Sequence, residues 1–97
     1  MEIKLNIYEN NSSNEPLQTY TCYGLSLETV IKFEEYRNLS KGTDLKEQLE
    51  LILEFIKSVF PDFKDEYLYK LRPNDLHDFM TDIGRDITKA YGKAEKN

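Results

Sequence analysis

The stretch LELILEFIKSVFPDF, residues 49–63, is mostly apolar and sets the architecture that the rest of the chain must complete. Its apolar residues recur at helical spacing, Asp44 and Glu47 form a capping box ahead of it, and Pro61 ends it. At about 100° per residue, one arc of the helix carries most of the apolar side chains. This arc predicts the side that faces the core: Leu45, Leu49, Ile52, Leu53, Ile56, Val59 and Phe60.

Leu51 and Phe55 lie outside that arc, four residues apart on a second flank, while Glu50, Glu54 and Lys57 occupy the remaining face. Two interpretations are open. Either the helix is central and covered on two sides, or Leu51 and Phe55 contact another protein chain, because exposed apolar patches commonly mark binding surfaces. On the second interpretation, Leu51 and Phe55 are predicted partner-binding residues.

The N-terminal segment predicts a β-hairpin. EIKLNIY alternates apolar and polar residues with the period of a half-buried strand, ENNSSNEP is a polar turn segment, and LQTYTCY is a second strand rich in Thr and aromatic residues. A lone two-stranded hairpin is only marginally stable, so helices are expected to cover its apolar face.

The remaining segments predict further helices. Ser26 caps a helix through LETVIKFEEYRN, LSKGT is a loop, and DFKDEYLYKL forms a short helix that Pro73 ends. Asn74 is the expected cap of the last helix, whose apolar stripe comprises Leu76, Phe79, Met80, Ile83, Ile87 and Tyr91. The prediction is an α+β fold in one domain, residues 1–97. It comprises a hairpin over 1–23, a helical body of about four α-helices over 26–91, and a polar tail over 92–97.

Four aspartates, Asp75, Asp78, Asp82 and Asp86, share one flank of the last helix. Like charges four apart destabilise a helix by a few tenths of a kcal/mol, and only Asp75 gains from the helix N-terminus. The row is either a solvated acidic face or a docking stripe for a basic partner, which would steer the encounter. All four are therefore candidate partner-binding residues.

The composition argues against two classes of function, nucleic-acid binding and membrane insertion. The 97 residues carry a net charge of −5, with acids and bases interleaved, which argues against nucleic-acid binding. No apolar run reaches the roughly 20 residues of a membrane helix, and MEIKLNIYEN lacks a signal-peptide pattern. We therefore expect a soluble, cytoplasmic protein that binds neither nucleic acid nor membrane.

Residues with catalytic or metal-binding chemistry are sparse. Cys22 and His77 are the only cysteine and the only histidine, so an internal disulfide, a cysteine cluster and a two-histidine metal site are excluded. Cys22 fits a small apolar strand residue better than a reactive thiol. No phosphate-binding loop, dinucleotide turn or GxSxG motif occurs. The sequence predicts a non-enzyme without catalytic residues, metal or cofactor.

The order of the motifs resembles a known family. MEIKLNIYEN, a second strand ending in TYTCY, a helix, a long helix ending in SVFPDF, and then DEYLYKLRPNDLHDFMTDI resemble the tail assembly chaperones of long-tailed phages and prophages of Gram-positive bacteria. The likeness covers nearly the whole chain and consists of apolar patterns with a few fixed letters.

The resemblance implies a non-catalytic chaperone that binds the tape-measure protein and helps recruit tail-tube protein in the host cytoplasm. Such a protein is absent from the mature virion. The spare apolar flank is also compatible with a homo-oligomer. An alternative from another class is a small acidic regulator or anti-repressor of a phage or mobile element, which would act by protein–protein binding.

Overall fold

The computed structural model describes residues 1–39, 42 and 44–95, and its first two elements are the strands of a hairpin. Within the described residues four helices follow, of which the third is a 3-10 helix, and the predicted α+β fold is thereby confirmed. None of the described helices is long and apolar enough to cross a bilayer. The elements are β1 (Ile3–Ile7), β2 (Gln18–Cys22), α1 (Leu27–Leu39), α2 (Leu45–Val59), the 3-10 helix (Asp65–Lys70) and α3 (Pro73–Glu95).

The two strands are antiparallel, with Ile3 opposite Cys22 and Leu5 opposite Tyr20. The period-2 alternation of β1 is confirmed, because every second residue from Ile3 to Ile7 is buried. Tyr20 and Cys22 are buried on the same side, and the Cys22 thiol donates a hydrogen bond to the Gly24 carbonyl at 3.1 Å. α3 packs along β1 and supplies the cover that a two-stranded hairpin requires.

Arg72, which directly precedes α3, holds the connection between the two strands in place. The guanidinium of Arg72 lies 3.8 Å from the centre of the Tyr8 ring and donates hydrogen bonds to the carbonyls of Asn10 at 3.1 Å and Ser13 at 2.6 Å. Lys70 reinforces this link with a hydrogen bond to the Glu9 carbonyl at 2.8 Å. The polar turn segment is therefore held against the start of α3.

Side-chain caps define where α1 and α2 begin. The Thr29 amide donates to the Ser26 hydroxyl at 3.2 Å, and the Glu47 amide donates to the Asp44 carboxylate at 2.9 Å, so both predicted caps are confirmed. Thr29 is itself buried, and its hydroxyl donates to the Ser58 carbonyl at 3.2 Å. This bond fixes the antiparallel pairing of α1 with the end of α2.

Aromatic rings connect the layers of the core. Phe55 of α2 lies between Phe33 of α1 at 5.5 Å and Phe79 of α3 at 6.0 Å, measured between ring centres. Phe60 contacts Phe79 at 5.8 Å and Tyr20 of the hairpin at 5.2 Å. One continuous cluster of rings therefore joins α1, α2, α3 and β2, and such contacts contribute roughly 0.5–1.5 kcal/mol each beyond burial.

The Phe33 ring of α1 packs closely against α3 at Gly84. A Cβ atom at this position would lie 3.3 Å from the Cζ atom of Phe33, closer than side chains normally approach. The bare backbone of α3 thus forms part of the surface on which the Phe33 ring rests.

The start of α3 differs from the prediction. The helix begins at Pro73, and the Leu76 amide bonds to the Arg72 carbonyl at 2.9 Å, so Asn74 is inside the helix and is not its cap. Proline suits the first helical position because it lacks an amide hydrogen that would need a partner there.

The predicted boundaries at the end of the helical body differ as well. α3 continues through residue 95, so the predicted tail over 92–97 is helical over 92–95, while residues 96 and 97 lie outside the described residues. The predicted loop 39–43 also falls largely outside them, with only Leu39 and Gly42 described.

Replacing Phe55 by Ala should remove the ring that links three helices. We expect the free energy of unfolding to fall by about 3–5 kcal/mol, a large part of the roughly 5–15 kcal/mol typical of a small domain. Urea unfolding followed by circular dichroism measures the change. Leu45→Ala, on the exposed start of the same helix, is the control, with an expected change within about 0.5 kcal/mol. Equal losses in the two variants would contradict the central role of Phe55.

Candidate docking surface

Large apolar side chains remain exposed around α2. Leu45 is 69% exposed at the start of the helix, and Tyr69 of the 3-10 helix is 80% exposed. Between them lies a groove of about 500 Å³, which we call the apolar groove. Its lining residues are Leu45, Lys46, Leu49, Glu50, Leu53, Leu68 and Tyr69.

The sequence explains how this groove forms. Leu45, Leu49 and Leu53 are four residues apart and therefore make one row along α2. After α2 the chain turns tightly, with the Phe63 amide bonded to the Phe60 carbonyl at 3.0 Å, and an ion pair between Lys57 and Asp65 draws the 3-10 helix against α2. The row of leucines forms one wall, and the 3-10 helix forms the other.

A second depression of about 300 Å³ lies on the other side of Glu50, where Leu39 of α1 and Leu51 of α2 form an apolar floor. Glu47, Glu50 and Glu54 surround it, so we call it the acidic depression. Glu54 is partly neutralised by Lys32 at 3.6 Å, and the carboxylates of Glu35 and then Glu54 raise the pKa of that lysine.

Glu47 and Glu50 differ from Glu54 because neither forms an ion pair with any residue in the described part of the chain. Glu50 lines both the apolar groove and the acidic depression. The two concave features therefore meet at Glu50, with the apolar groove beside the leucine row and the acidic depression farther around α2.

Comparison with known proteins identifies no relative of this chain. No protein family, curated protein or solved structure matches the chain.

The prediction that Phe55 contacts a partner is wrong. Its side chain has no exposed surface, because α1 and α3 cover the flank of α2 on which it lies. The buried side of α2 is turned toward Phe55 by roughly 50° relative to the predicted arc, at 100° per residue. This rotation moves the row from Leu45 to Leu53 to the edge of the core, where Leu45 is exposed and Leu49 and Leu53 are half-buried.

Leu51, the other residue of the predicted pair, stays at the surface. It is half-buried and forms the floor of the acidic depression with Leu39. Exposed apolar surface is therefore present on α2, as expected. Leu51 contributes to it together with Leu45, which was predicted to face the core. Partner binding by Leu51 remains a prediction.

The four aspartates do share one flank of α3, in a different part of the surface. Asp82 and Asp86 line a depression with Met1 and Ile3 of the hairpin, and Asp75 lines another beside Tyr8. Arg85 pairs with Asp82 at 3.1 Å, which reduces the negative charge of the row. The aspartates and Leu51 therefore do not come together in one site, and their role in binding stays a prediction.

The residue types that bind metal ions form no metal site in the described part of the chain. Among residues 1–39, 42 and 44–95, no group of three or more His, Cys, Asp and Glu is arranged to hold a metal ion. Cys22 is buried, whereas His77 is exposed on α3. The arrangement around α2 is suited to binding an apolar surface on another molecule.

Sequence reasoning missed Tyr69, Leu68 and Leu39 as parts of the surface. Tyr69 and Leu68 lie in DFKDEYLYKL, where Phe63, Tyr67 and Leu71 are four residues apart, a spacing that places them on one face of an α-helix. The segment is a 3-10 helix with about three residues per turn, which changes the side chains that face α2. The sequence does contain one signal for this surface, the row from Leu45 to Leu53. Together with the other apolar residues of α2, this row covers more of the helix than a single core-facing side requires.

Removing the exposed walls of the apolar groove should reduce its affinity for apolar molecules. For the double variant Leu45→Ser and Tyr69→Ser, we expect weaker fluorescence of the neutral dye Nile red and an unfolding free energy close to that of the unchanged protein, since both side chains are mostly exposed. The control is Leu27→Ser with Ile31→Ser, which removes exposed apolar residues from α1, away from the groove. An equal loss of dye signal in both variants would contradict a specific groove.

Proposed function

We propose that the protein is a non-catalytic phage tail assembly chaperone that binds the tape-measure protein and helps recruit tail-tube protein during tail assembly. The resemblance of the motif order supplies the family, and the apolar groove beside α2 is the observation that carries the proposal. Its place of action is then the host cytoplasm, and the protein is absent from the mature virion.

The groove supports this proposal by its chemistry. Fully burying a leucine that was exposed is worth about 1.5–3 kcal/mol, and Leu45 and Tyr69 both offer mostly exposed surface to a partner. In the resembled family the partner is a long helical protein whose apolar surface is uncovered until the tube encloses it. An apolar groove can cover such a surface in the meantime.

The modest size of the groove supports transient binding. Only a few apolar side chains line it, and affinity depends on how many well-packed anchors a surface offers after the cost of association has been met. A chaperone that leaves before the virion is complete needs such reversible contact. The charged residues around the groove also keep it soluble between encounters.

Co-expression with the tape-measure protein of the same phage tests the proposal. We expect a larger soluble fraction of the tape-measure protein and its retention by the tagged chaperone. Leu45→Asp should abolish most of this effect because it places a charge in the groove. The matched control, Leu27→Asp on α1, should retain the effect. If the tape-measure protein stays equally insoluble with and without this chain, the proposed function is wrong.

A further inference from the structure

Strand β2 forms one edge of the two-stranded sheet, and no other strand in the described part of the chain pairs with that edge. Within those residues, the only backbone groups hydrogen-bonded to β2 belong to β1. An edge strand directs alternate amides and carbonyls away from its partner, where they can pair with a further strand. The exposed Gln18 side chain donates to the Thr19 carbonyl at 3.4 Å, a long bond that an incoming strand can replace.

This edge lacks the side chains that usually protect an edge strand from pairing. Residues 16–27 contain no charged residue, and Pro16 lies before the strand rather than within it. Native edge strands commonly carry lysine or proline to prevent such pairing. β1 is better protected, because Lys4 is exposed at its middle and α3 packs along it.

The outer face of β2 carries apolar side chains at its two ends. Residues 17, 19, 21 and 23 alternate onto this face. Leu17 is 48% exposed at one end and Tyr23 is 71% exposed at the other, with Thr19 and Thr21 between them. All four are uncharged, and the β-branched and aromatic ones favour strand pairing.

We propose that β2 pairs with β2 of a second copy of this chain, which joins the two hairpins into one four-stranded antiparallel sheet. The two-fold axis passes through the sheet at Tyr20, the middle residue of the strand. In this register Leu17 lies opposite Tyr23 of the partner subunit, and Thr19 lies opposite Thr21 of the partner subunit. Aliphatic–aromatic and Thr–Thr pairs are both favourable across antiparallel strands.

The symmetry of the residues around Tyr20 favours a second copy over an unrelated strand. Each copy offers the same open edge, and the pairing places no charge opposite another, because the nearest charged residues, Glu15 and Glu28, lie outside the strand. The contact is also closed. It uses both β2 edges and leaves β1 of each copy, with Lys4 and α3, on the outside, so the assembly stops at two copies.

The short strand limits the strength of this contact. Five residues span about 17 Å at about 3.4 Å per residue, and small interfaces are typically weak and reversible. Residues 17–23 include none of the residues that line the apolar groove. The dimer is therefore independent of the proposed function, and a monomeric chain would leave that function in place.

Analytical ultracentrifugation over a range of concentrations tests the dimer. We expect the unchanged chain to dimerise with a Kd below about 1 mM. Thr19→Lys with Thr21→Lys should raise the Kd at least about tenfold, because lysines then face each other on both sides of the axis. Thr81→Lys with Thr88→Lys, a matched change at exposed positions of α3, should leave the Kd unchanged.

A variant with opposite charges separates pairing from a loss of fold. Thr19→Lys with Thr21→Glu alters the same two positions but places a lysine opposite a glutamate, so its dimer should persist. Circular dichroism should show the same secondary structure in all these variants. The proposal is overturned if the unchanged chain stays monomeric up to 1 mM, if both lysine pairs act alike, or if the Lys–Glu variant is as monomeric as the Lys–Lys variant.

Cross-linking tests the register of the two strands. Thr19→Cys and Thr21→Cys proteins of different tag length are mixed and oxidised with oxidised glutathione. Disulfides joining the two proteins should predominate, because directly opposite Cβ atoms lie about 4.5–5.5 Å apart and diagonal ones about 7–8 Å. Cys22 is buried and common to both proteins, so it favours neither product. Equal amounts of the mixed and the like-with-like disulfides, or a dimer that Leu45→Asp dissociates, would place the contact elsewhere and overturn the proposal.

Discussion

The burial of Phe55 between Phe33 and Phe79 is the contact on which the rest of the structure depends. It joins α2 to α1 and to α3 at once, and the hairpin joins the same cluster through Tyr20 and Phe60. The contact also fixes the rotation of α2 about its own axis. With Phe55 turned inward, the leucine row that begins at Leu45 cannot reach the centre of the core, so the anchoring of the core and the exposure of the groove have one cause.

Local chemistry in the sequence predicted most of the fold. The Ser26 and Asp44 caps, the alternation of β1 and the stop at Pro61 depend on neighbouring residues, and the structure confirms each of them. The start of α3 was misjudged because asparagine is a good cap and proline was taken as an interruption. Proline at the first helical position satisfies the same geometry through its fixed φ angle.

The candidate docking surface was predicted only in part, because helical periodicity gives the angles between residues and does not say which neighbour covers which side. Leu51 and Phe55 were correctly placed on a second flank, yet one ended at the surface and the other in the core. The groove joins residues near 45–53 with Leu68 and Tyr69, which are brought together by a turn and an ion pair. Such an arrangement is a tertiary property that no single segment displays.

The contact between Phe33 and the backbone at Gly84 has a consequence for how this chain can evolve. The missing side chain at position 84 lets the Phe33 ring lie close to α3, and an added methyl group would crowd the ring. Positions 33 and 84 are therefore coupled in size. A lineage that gains a methyl group at 84 must shift the Phe33 ring by a few tenths of an ångström or shrink residue 33, and either change would reach Phe55, on which that ring packs.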